Sequence, residues 1–163
     1  MSATPGASAY ELVLALHIMG VVAAFGVTFA YPFIFAIGAR HQPRSLPLLH
    51  RIEYSVERWL VNPMLLVVLG AGIYLASDGH QWSEFFVQWG FGAVIVIGAL
   101  VGSVTIPSSK RAERLAEEAV AAAGEGQPHF GEEYQAVVRR LQWVGTALSA
   151  LVLLTIVFMV VKP

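Results

Sequence analysis

The segment LVLALHIMGVVAAFGVTFAYPFIFAIGA, residues 12–39, contains no Asp, Glu, Lys or Arg and is long enough to cross a membrane as a helix. The hydrocarbon core of a bilayer is about 30 Å thick, and a helix of about 20 residues spans it. Because lipid offers no partner for backbone N–H and C=O groups, such a segment must be helical. Three further segments of this kind follow at residues 59–77, 85–109 and 141–161. The sequence therefore predicts an all-α polytopic membrane protein, a bundle of four transmembrane helices.

Length and composition agree with this class. The chain has 163 residues, of which 56% are hydrophobic, and its mean hydropathy is +0.65. Four spans and their connections use up nearly all of this length, so we predict one membrane domain over residues 1–163. There is no cysteine, which excludes disulfides, thiolate metal sites, iron–sulfur clusters and cysteine nucleophiles. We expect the spans at about residues 11–37, 58–77, 84–107 and 141–161, and the long loops at residues 38–57 and 108–140.

The basic residues predict the orientation of the spans. Of the ten Lys and Arg residues, all but Lys162 lie between spans one and two or between spans three and four. By the positive-inside rule, both long loops face the cytoplasm, and both termini lie outside. We thus expect a multi-pass protein of the cytoplasmic membrane of a bacterium. The residues before Glu11 carry no Lys or Arg and no small-residue cleavage site, which predicts that span one is retained.

The loop before span two predicts an amphipathic helix at residues 48–60 that leads straight into the span. On one side of this helix lie His50, Glu53 and Glu57, at a spacing that could hold a metal ion. The di-iron motif of helix bundles has the opposite order, Glu-x-x-His. We therefore interpret the three residues as a solvated helix face. The apolar positions that recur at helical spacing are Leu49, Ile52, Val56 and Trp59.

Prolines and glycines predict where the helices bend or end. Span one exceeds the hydrocarbon thickness, so a tilt or a kink near Pro32 is expected. A helix that started at Pro63 would be too short to cross, so we predict a continuous helix that bends there. After span three we expect a polar helix at residues 110–123 and a break at residues 124–128. A helix at residues 132–140 should then continue into span four.

His17, inside the apolar part of span one, is the main candidate for a functional residue. An ionisable side chain at this depth is costly unless it faces the protein interior and has a partner. Gly20 and Ala24 share its side of the helix, and their small size lets a partner helix or a flat ligand approach the backbone. A neutral imidazole can serve as an axial ligand of haem iron. The position of His17 thus makes it a candidate axial ligand of haem, with Gly20 and Ala24 beside the macrocycle, and we assign no catalytic residue.

Other interpretations stay open. His17 could be a neutral histidine that donates one hydrogen bond to another helix, for example to Tyr74 or Thr155. Copper handling, as in CopD-like membrane proteins, is a further hypothesis, although Met19 lies about 200° round the helix from His17 and cannot share a copper ion with it. A hypothesis from another class is a non-enzymatic membrane subunit or scaffold whose loop at residues 108–140 docks a partner.

Three parts of the chain carry a family resemblance. They are the run Leu16-His17-Ile18-Met19-Gly20-Val21-Val22 with Phe25, Phe29, Pro32 and Phe35; the pair Glu57-Arg58 with Leu60 and Pro63; and the ending Val160-Val161-Lys162-Pro163. In this order they resemble HemJ, a family of membrane-bound bacterial protoporphyrinogen oxidases, whose second segment reads Glu-Arg-Arg-Leu-Tyr. The resemblance covers three of the four helices. It implies a four-helix fold with the N-terminus outside and a role for His17 as the axial ligand of haem b.

The sequence also departs from the HemJ pattern. The family has a lysine near the start of its third span, in a Trp-x-His-x-Lys stretch, where this chain reads Trp82-Ser83-Glu84-Phe85-Phe86-Val87-Gln88-Trp89. Trp59 stands where the family has its second arginine. We therefore predict a relative of HemJ that binds haem or porphyrin as a redox protein but lacks porphyrinogen oxidase activity. Its expected partners are the lipid bilayer and either further copies of the chain or a membrane redox protein, with no nucleic acid.

Overall fold

Four long helical segments make up the computed structural model, which describes residues 8–163. Each segment is long and apolar enough to cross a membrane, and together they confirm the predicted all-α four-helix fold. Within the described residues, helix is the only regular secondary structure. The segments cover Ala9–His41, Pro43–Asp78, Phe85–Ala122 and Glu132–Val161.

Seven α-helices are distinguished within these segments. Short 3-10 turns at Val27–Phe29 and Pro43–Ser45 join the first three, and single π-helical turns at Glu57–Val61 and Val101–Thr105 lie inside the second and third segments. The α-helices are α1 (Ala9–Phe25), α2 (Tyr31–His41), α3 (Leu46–Val56), α4 (Asn62–Asp78), α5 (Phe85–Leu100), α6 (Ile106–Ala122) and α7 (Glu132–Val161).

Each π-helical turn ends two residues before a proline. Pro63 is the second residue of α4, and Pro107 is the second residue of α6. Proline has no N–H and its ring would collide with the carbonyl group one turn back, so an ordinary α-helix would break there. A π-turn shifts the hydrogen bonds by one residue and lets the chain continue as helix. The continuous helix that we predicted through Pro63 is thus confirmed, and in span one the 3-10 turn at Val27–Phe29 likewise precedes Pro32.

The polar helix predicted after span three is also present, as the part of α6 that extends span three without interruption. Helix α6 ends at Ala122, and Gly124 follows with a φ of 52°, a left-handed conformation that glycine adopts without strain. The guanidinium group of Arg44 donates hydrogen bonds to the carbonyl oxygens of Gly124 and Gly126. The predicted break is therefore confirmed, and Arg44 ties it to the turn between α2 and α3.

The two ends of the helix bundle differ in their content of basic residues. The end that carries α3, α6 and the α6–α7 connection is called the basic end here, because all Lys and Arg residues except Lys162 lie on it. The opposite end carries the turn between α4 and α5 and is called the hairpin end. Along the bundle α1 packs on α4, α5 on α7, and α3 on α6.

The apolar core is thin, as expected for helices that face lipid on their outer sides. A central cluster brings together Ala24, Leu65, Ile97 and Val152, one from each span. A second cluster at the basic end includes Leu46, Ala112 and Leu141 with Tyr134. Many large apolar side chains point outward instead, which agrees with an integral membrane protein rather than a soluble one.

Candidate functional site

His17 lies half-buried in the contact between α1 and α4. Its ring nitrogen Nδ1 is 3.0 Å from the carbonyl oxygen of Val68, to which it donates a hydrogen bond. Gly72 has no side chain, and a methyl group there would already lie 3.5 Å from the imidazole Cε1. The other ring nitrogen, Nε2, has no hydrogen-bond partner among the described residues and is not enclosed by protein. The bond to Val68 therefore holds the imidazole as the tautomer in which Nε2 keeps its lone pair.

Gly20 and Ala24 share the side of α1 that carries His17, as predicted, and this side faces α4. A Cβ atom at Gly20 would lie only 2.9 Å from Cγ2 of Val68, and Ala24 is fully buried in the central cluster. The small residues thus allow close packing of two helices. The space over Gly20 that we predicted for a macrocycle edge is filled by α4, and Ala24 is enclosed by the central cluster.

The other residues that we considered with His17 do not meet it. Thr155 accepts a hydrogen bond of 3.1 Å from the indole N–H of Trp89, and Tyr74 is partly exposed. Met19 points outward from α1. A further histidine at the hairpin end, His80, is exposed and donates from Nδ1 to the carbonyl oxygen of Asp78. The interhelical partner of His17 is therefore a backbone carbonyl group, not one of the predicted side chains.

The prediction that His50, Glu53 and Glu57 form a solvated face is wrong. Their exposed fractions are only 1%, 7% and 5%, whereas Trp59 on the same helical segment is 74% exposed. The polar side of α3 is turned towards α6, and apolar side chains such as Ile52 point outward. This is the arrangement that lipid favours, since apolar side chains face hydrocarbon and polar ones find partners inside the bundle.

Six polar residues from four helices and one π-turn meet at this place and are called the buried acid cluster. In it, His50 is the central hydrogen-bonded group: its Nδ1 lies 3.3 Å from Oε2 of Glu53, and its Nε2 lies 3.1 Å from the hydroxyl oxygen of Tyr134. The hydroxyl group of Ser109 donates to the same Glu53 oxygen at 3.1 Å. The members are Tyr31 of α2, His50 and Glu53 of α3, Glu57 of the first π-turn, Ser109 of α6 and Tyr134 of α7.

Two atoms of the cluster have no such partner. The Oε2 atom of Glu57 and the hydroxyl oxygen of Tyr31 are buried and form no hydrogen bond with the described residues. Glu57 follows Glu53 by four residues on the same helical segment, so the two carboxyl groups lie on one side of it. Buried polar atoms are nearly always paired, so an unpaired carboxylate oxygen needs a specific explanation, of which a functional role is one.

Basic side chains do not neutralise the cluster, because every Lys and Arg residue of the chain is exposed. Arg51, next to His50, turns away and pairs with Glu113 and Glu117 on the surface of α6, at 2.6 and 2.7 Å. Lys110, next to Ser109, lies over the ring of Tyr54, with Nζ 4.6 Å from the ring centre. Two carboxyl groups and one imidazole are thus buried without a permanent positive charge.

The buried acid cluster consists of imidazole, hydroxyl and carboxyl groups, which can donate or accept protons. Among residues 8–163, no group of three or more His, Asp or Glu side chains is arranged to hold a metal ion. Both nitrogens of His50 are engaged in hydrogen bonds, so one can accept a proton while the other donates one. The sequence signal for the site was present in the spacing of His50, Glu53 and Glu57, but Tyr31, Ser109 and Tyr134 showed no pattern that linked them to it.

A comparison with known protein families agrees with the architecture. A family model described as a predicted integral membrane protein, DUF2269, matches residues 11–163. No curated protein and no solved structure matches the chain. The match covers all four long helical segments, so the integral membrane character applies to the whole bundle.

Proposed function

The chain belongs to the DUF2269 family of predicted integral membrane proteins, and we propose that it binds b-type haem through His17 as a membrane redox protein. The observation that carries the proposal is the state of the imidazole: Nδ1 is held by the Val68 carbonyl oxygen, and Nε2 is accessible and unpaired. Histidines that bind metals commonly have their second nitrogen fixed in this way by a carbonyl or carboxylate group. The resemblance of span one to HemJ supports the same role.

The residues around His17 define how such a ligand would be held. Gly20 and Ala24 keep α1 against α4, and Val68 then orients the imidazole. His17 would hold the haem iron through Nε2, while Gly20 and Ala24, which are covered by other helices, would serve only to keep α1 and α4 close. When bound, haem supplies one-electron chemistry, and its potential depends on the axial ligand and on the surrounding dielectric.

The orientation in the membrane is part of the proposal. The basic end would face the cytoplasm of a bacterium, and both termini would lie outside. His17 would then lie in the outer half of the bilayer, and an electron partner would be a second copy of the chain or another membrane protein. The distribution of the ten Lys and Arg residues supports this orientation.

An absorption spectrum of the detergent-purified protein tests the proposal. We expect a Soret band that shifts on reduction, either as purified or after haem is added. The band should be lost in His17→Ala and kept in His80→Ala, which removes an exposed histidine at the same end of the bundle. The absence of a Soret band in the wild-type protein after haem addition, or an unchanged spectrum in His17→Ala, would contradict haem binding at this residue.

Two other functions stay as hypotheses with their own tests. A partner-docking scaffold would need the segment at residues 108–140, whose exposed charges include the Arg114–Glu118 ion pair at 3.2 Å. It predicts that a partner is lost when this segment is changed and retained in His17→Ala. CopD-like copper handling predicts tight copper binding in a metal titration, again dependent on His17.

A further inference from the structure

The buried acid cluster contains two carboxyl groups but no Lys or Arg side chain that could balance two negative charges. Glu53 and Glu57 are both more than nine-tenths buried, and no Lys or Arg side chain enters the cluster. A buried carboxylate without a positive partner is strongly disfavoured, and two close carboxylates disfavour each other's ionised form. One histidine can neutralise one carboxylate at most. A second positive charge must therefore be supplied to the cluster.

The carboxyl groups of Glu53 and Glu57 differ in their hydrogen bonds. This difference decides which of the two binds the additional positive charge. Oε2 of Glu53 accepts from Ser109 and lies next to Nδ1 of His50, so its negative charge has two partners. Oε2 of Glu57 has none among the described residues and is shielded from solvent. The Glu57 carboxylate would thus be the less stable of the two ions.

The π-turn that carries Glu57 packs against α1, α3 and α4, and further members of the cluster come from α2, α6 and α7. The ionisable groups of α1 are Tyr10, Glu11 and His17, and those of α4 are Tyr74 and Asp78. Tyr31 contributes a hydroxyl from α2, and Glu53 and His50 lie one and two turns back along α3. From α6 comes the Ser109 hydroxyl, and from α7 the hydroxyl of Tyr134, which binds His50. Arg58 is adjacent to Glu57 in sequence and Lys110 is adjacent to Ser109, and both basic side chains are exposed, each over an aromatic ring.

We propose that Glu57 is a proton-binding site, a neutral carboxylic acid in the folded protein that exchanges its proton at the basic end of the bundle. A proton is the cation that fits, because it needs no cavity and no set of ligands, whereas a metal ion would need several converging ligands. On release, the proton goes to water at the basic end, the carboxylate keeps the electron pair, and no electron is transferred. The hydrogen bonds from Glu53 through His50 to Tyr134 do not include Glu57, so its proton is exchanged with water and not along them.

Infrared spectroscopy of haem-free protein tests this proposal independently of haem binding. A neutral carboxyl group in a buried site gives a C=O stretching band that is separate from the carboxylate bands. We expect this band in the wild-type protein in D2O at neutral pH, and we expect it to disappear on titration to alkaline pH. Labelling of Glu with carbon-13 should shift the band, which identifies it as Glu without any substitution.

Variants then assign the band to one residue. Glu57→Gln keeps the size of the side chain and should abolish the band, whereas Glu132→Gln, at an exposed position at the start of α7, should leave it unchanged. A wild-type protein without the band at neutral pH would overturn the proposal. So would a band that persists in Glu57→Gln or one that is lost only in Glu53→Gln.

Discussion

Nε2 of His50 lies 3.1 Å from the hydroxyl oxygen of Tyr134, a residue 84 positions further along the chain. This contact joins α3 to α7 at the basic end and places an imidazole, 1% exposed, between a carboxyl group and a phenol. The site therefore depends on the packing of the membrane helices into one bundle.

The first prediction concerns this contact. Tyr134→Phe removes the hydroxyl group and leaves a buried ring nitrogen of His50 without its partner, which typically costs about 1–3 kcal/mol. We expect a lower midpoint of thermal unfolding in detergent. Tyr74→Phe is the matched control, because Tyr74 is partly exposed. Equal midpoints for the two variants would contradict a structural role for the His50–Tyr134 bond.

The second prediction tests the close contact of α1 and α4. Gly20→Ala places a Cβ atom 2.9 Å from Cγ2 of Val68, and overpacking of this kind costs about 1–3 kcal/mol. Gly70→Ala on α4 meets no atom within 4 Å and should be neutral or stabilise by up to about 1 kcal/mol. Thermal unfolding of both variants measures the difference.

A double variant tests whether the effects of changes at Gly20 and Val68 are coupled. Val68→Ala removes the methyl groups that Gly20→Ala would meet, so the double variant Gly20→Ala/Val68→Ala should lose less stability than the sum of the single changes. Strict additivity would mean that the two positions are not in contact.

The third prediction separates surface charges from buried ones. Arg51 pairs with Glu113 and Glu117, but more than half of its side chain is exposed, so Arg51→Ala should cost no more than about 1 kcal/mol. Its effect should shrink as salt is added, because exposed charges are screened. Glu53→Ala leaves buried His50 and Ser109 without an acceptor and should cost more, with little dependence on salt. Unfolding measured at low and high salt compares the two.

The sequence allowed the four spans to be predicted because each depends on local properties: an apolar segment of sufficient length, ended by charge or by Gly and Pro. The orientation of α3 could not be predicted in this way. The spacing of His50, Glu53 and Glu57 fits a helix face turned to water as well as one turned inward. What decides between these is contact with Ser109 and Tyr134, which are distant in the chain.

The hydrogen-bond partner of His17 also could not be predicted from the sequence. The cost of an ionisable group in an apolar span predicted that it needs a partner, and this is confirmed. The partner is the carbonyl oxygen of Val68, and a backbone group leaves no mark in the sequence. Likewise, the small residues near His17 were consistent with a ligand or a helix as neighbour, and only the structure shows that α4 lies over Gly20.

The fourth prediction concerns orientation, and the chain suits it because it has no native cysteine. Ser83→Cys lies in the turn at the hairpin end, and Gln127→Cys lies in the connection at the basic end; both positions are exposed. A maleimide that cannot cross membranes should label Ser83→Cys in intact bacterial cells with a permeable outer envelope. It should label Gln127→Cys only after the inner membrane is opened. The reverse pattern would contradict the proposed orientation.

The most direct test of haem binding at His17 is nitrogen NMR of protein labelled with nitrogen-15 in its histidines. Before haem is added, His17 should give the signals of a neutral imidazole protonated at Nδ1. On addition of haem, its Nε2 signal should be shifted or lost through contact with the iron, while the signals of His80 remain. A His17 protonated at Nε2, or one whose signals do not respond to haem, would contradict the account.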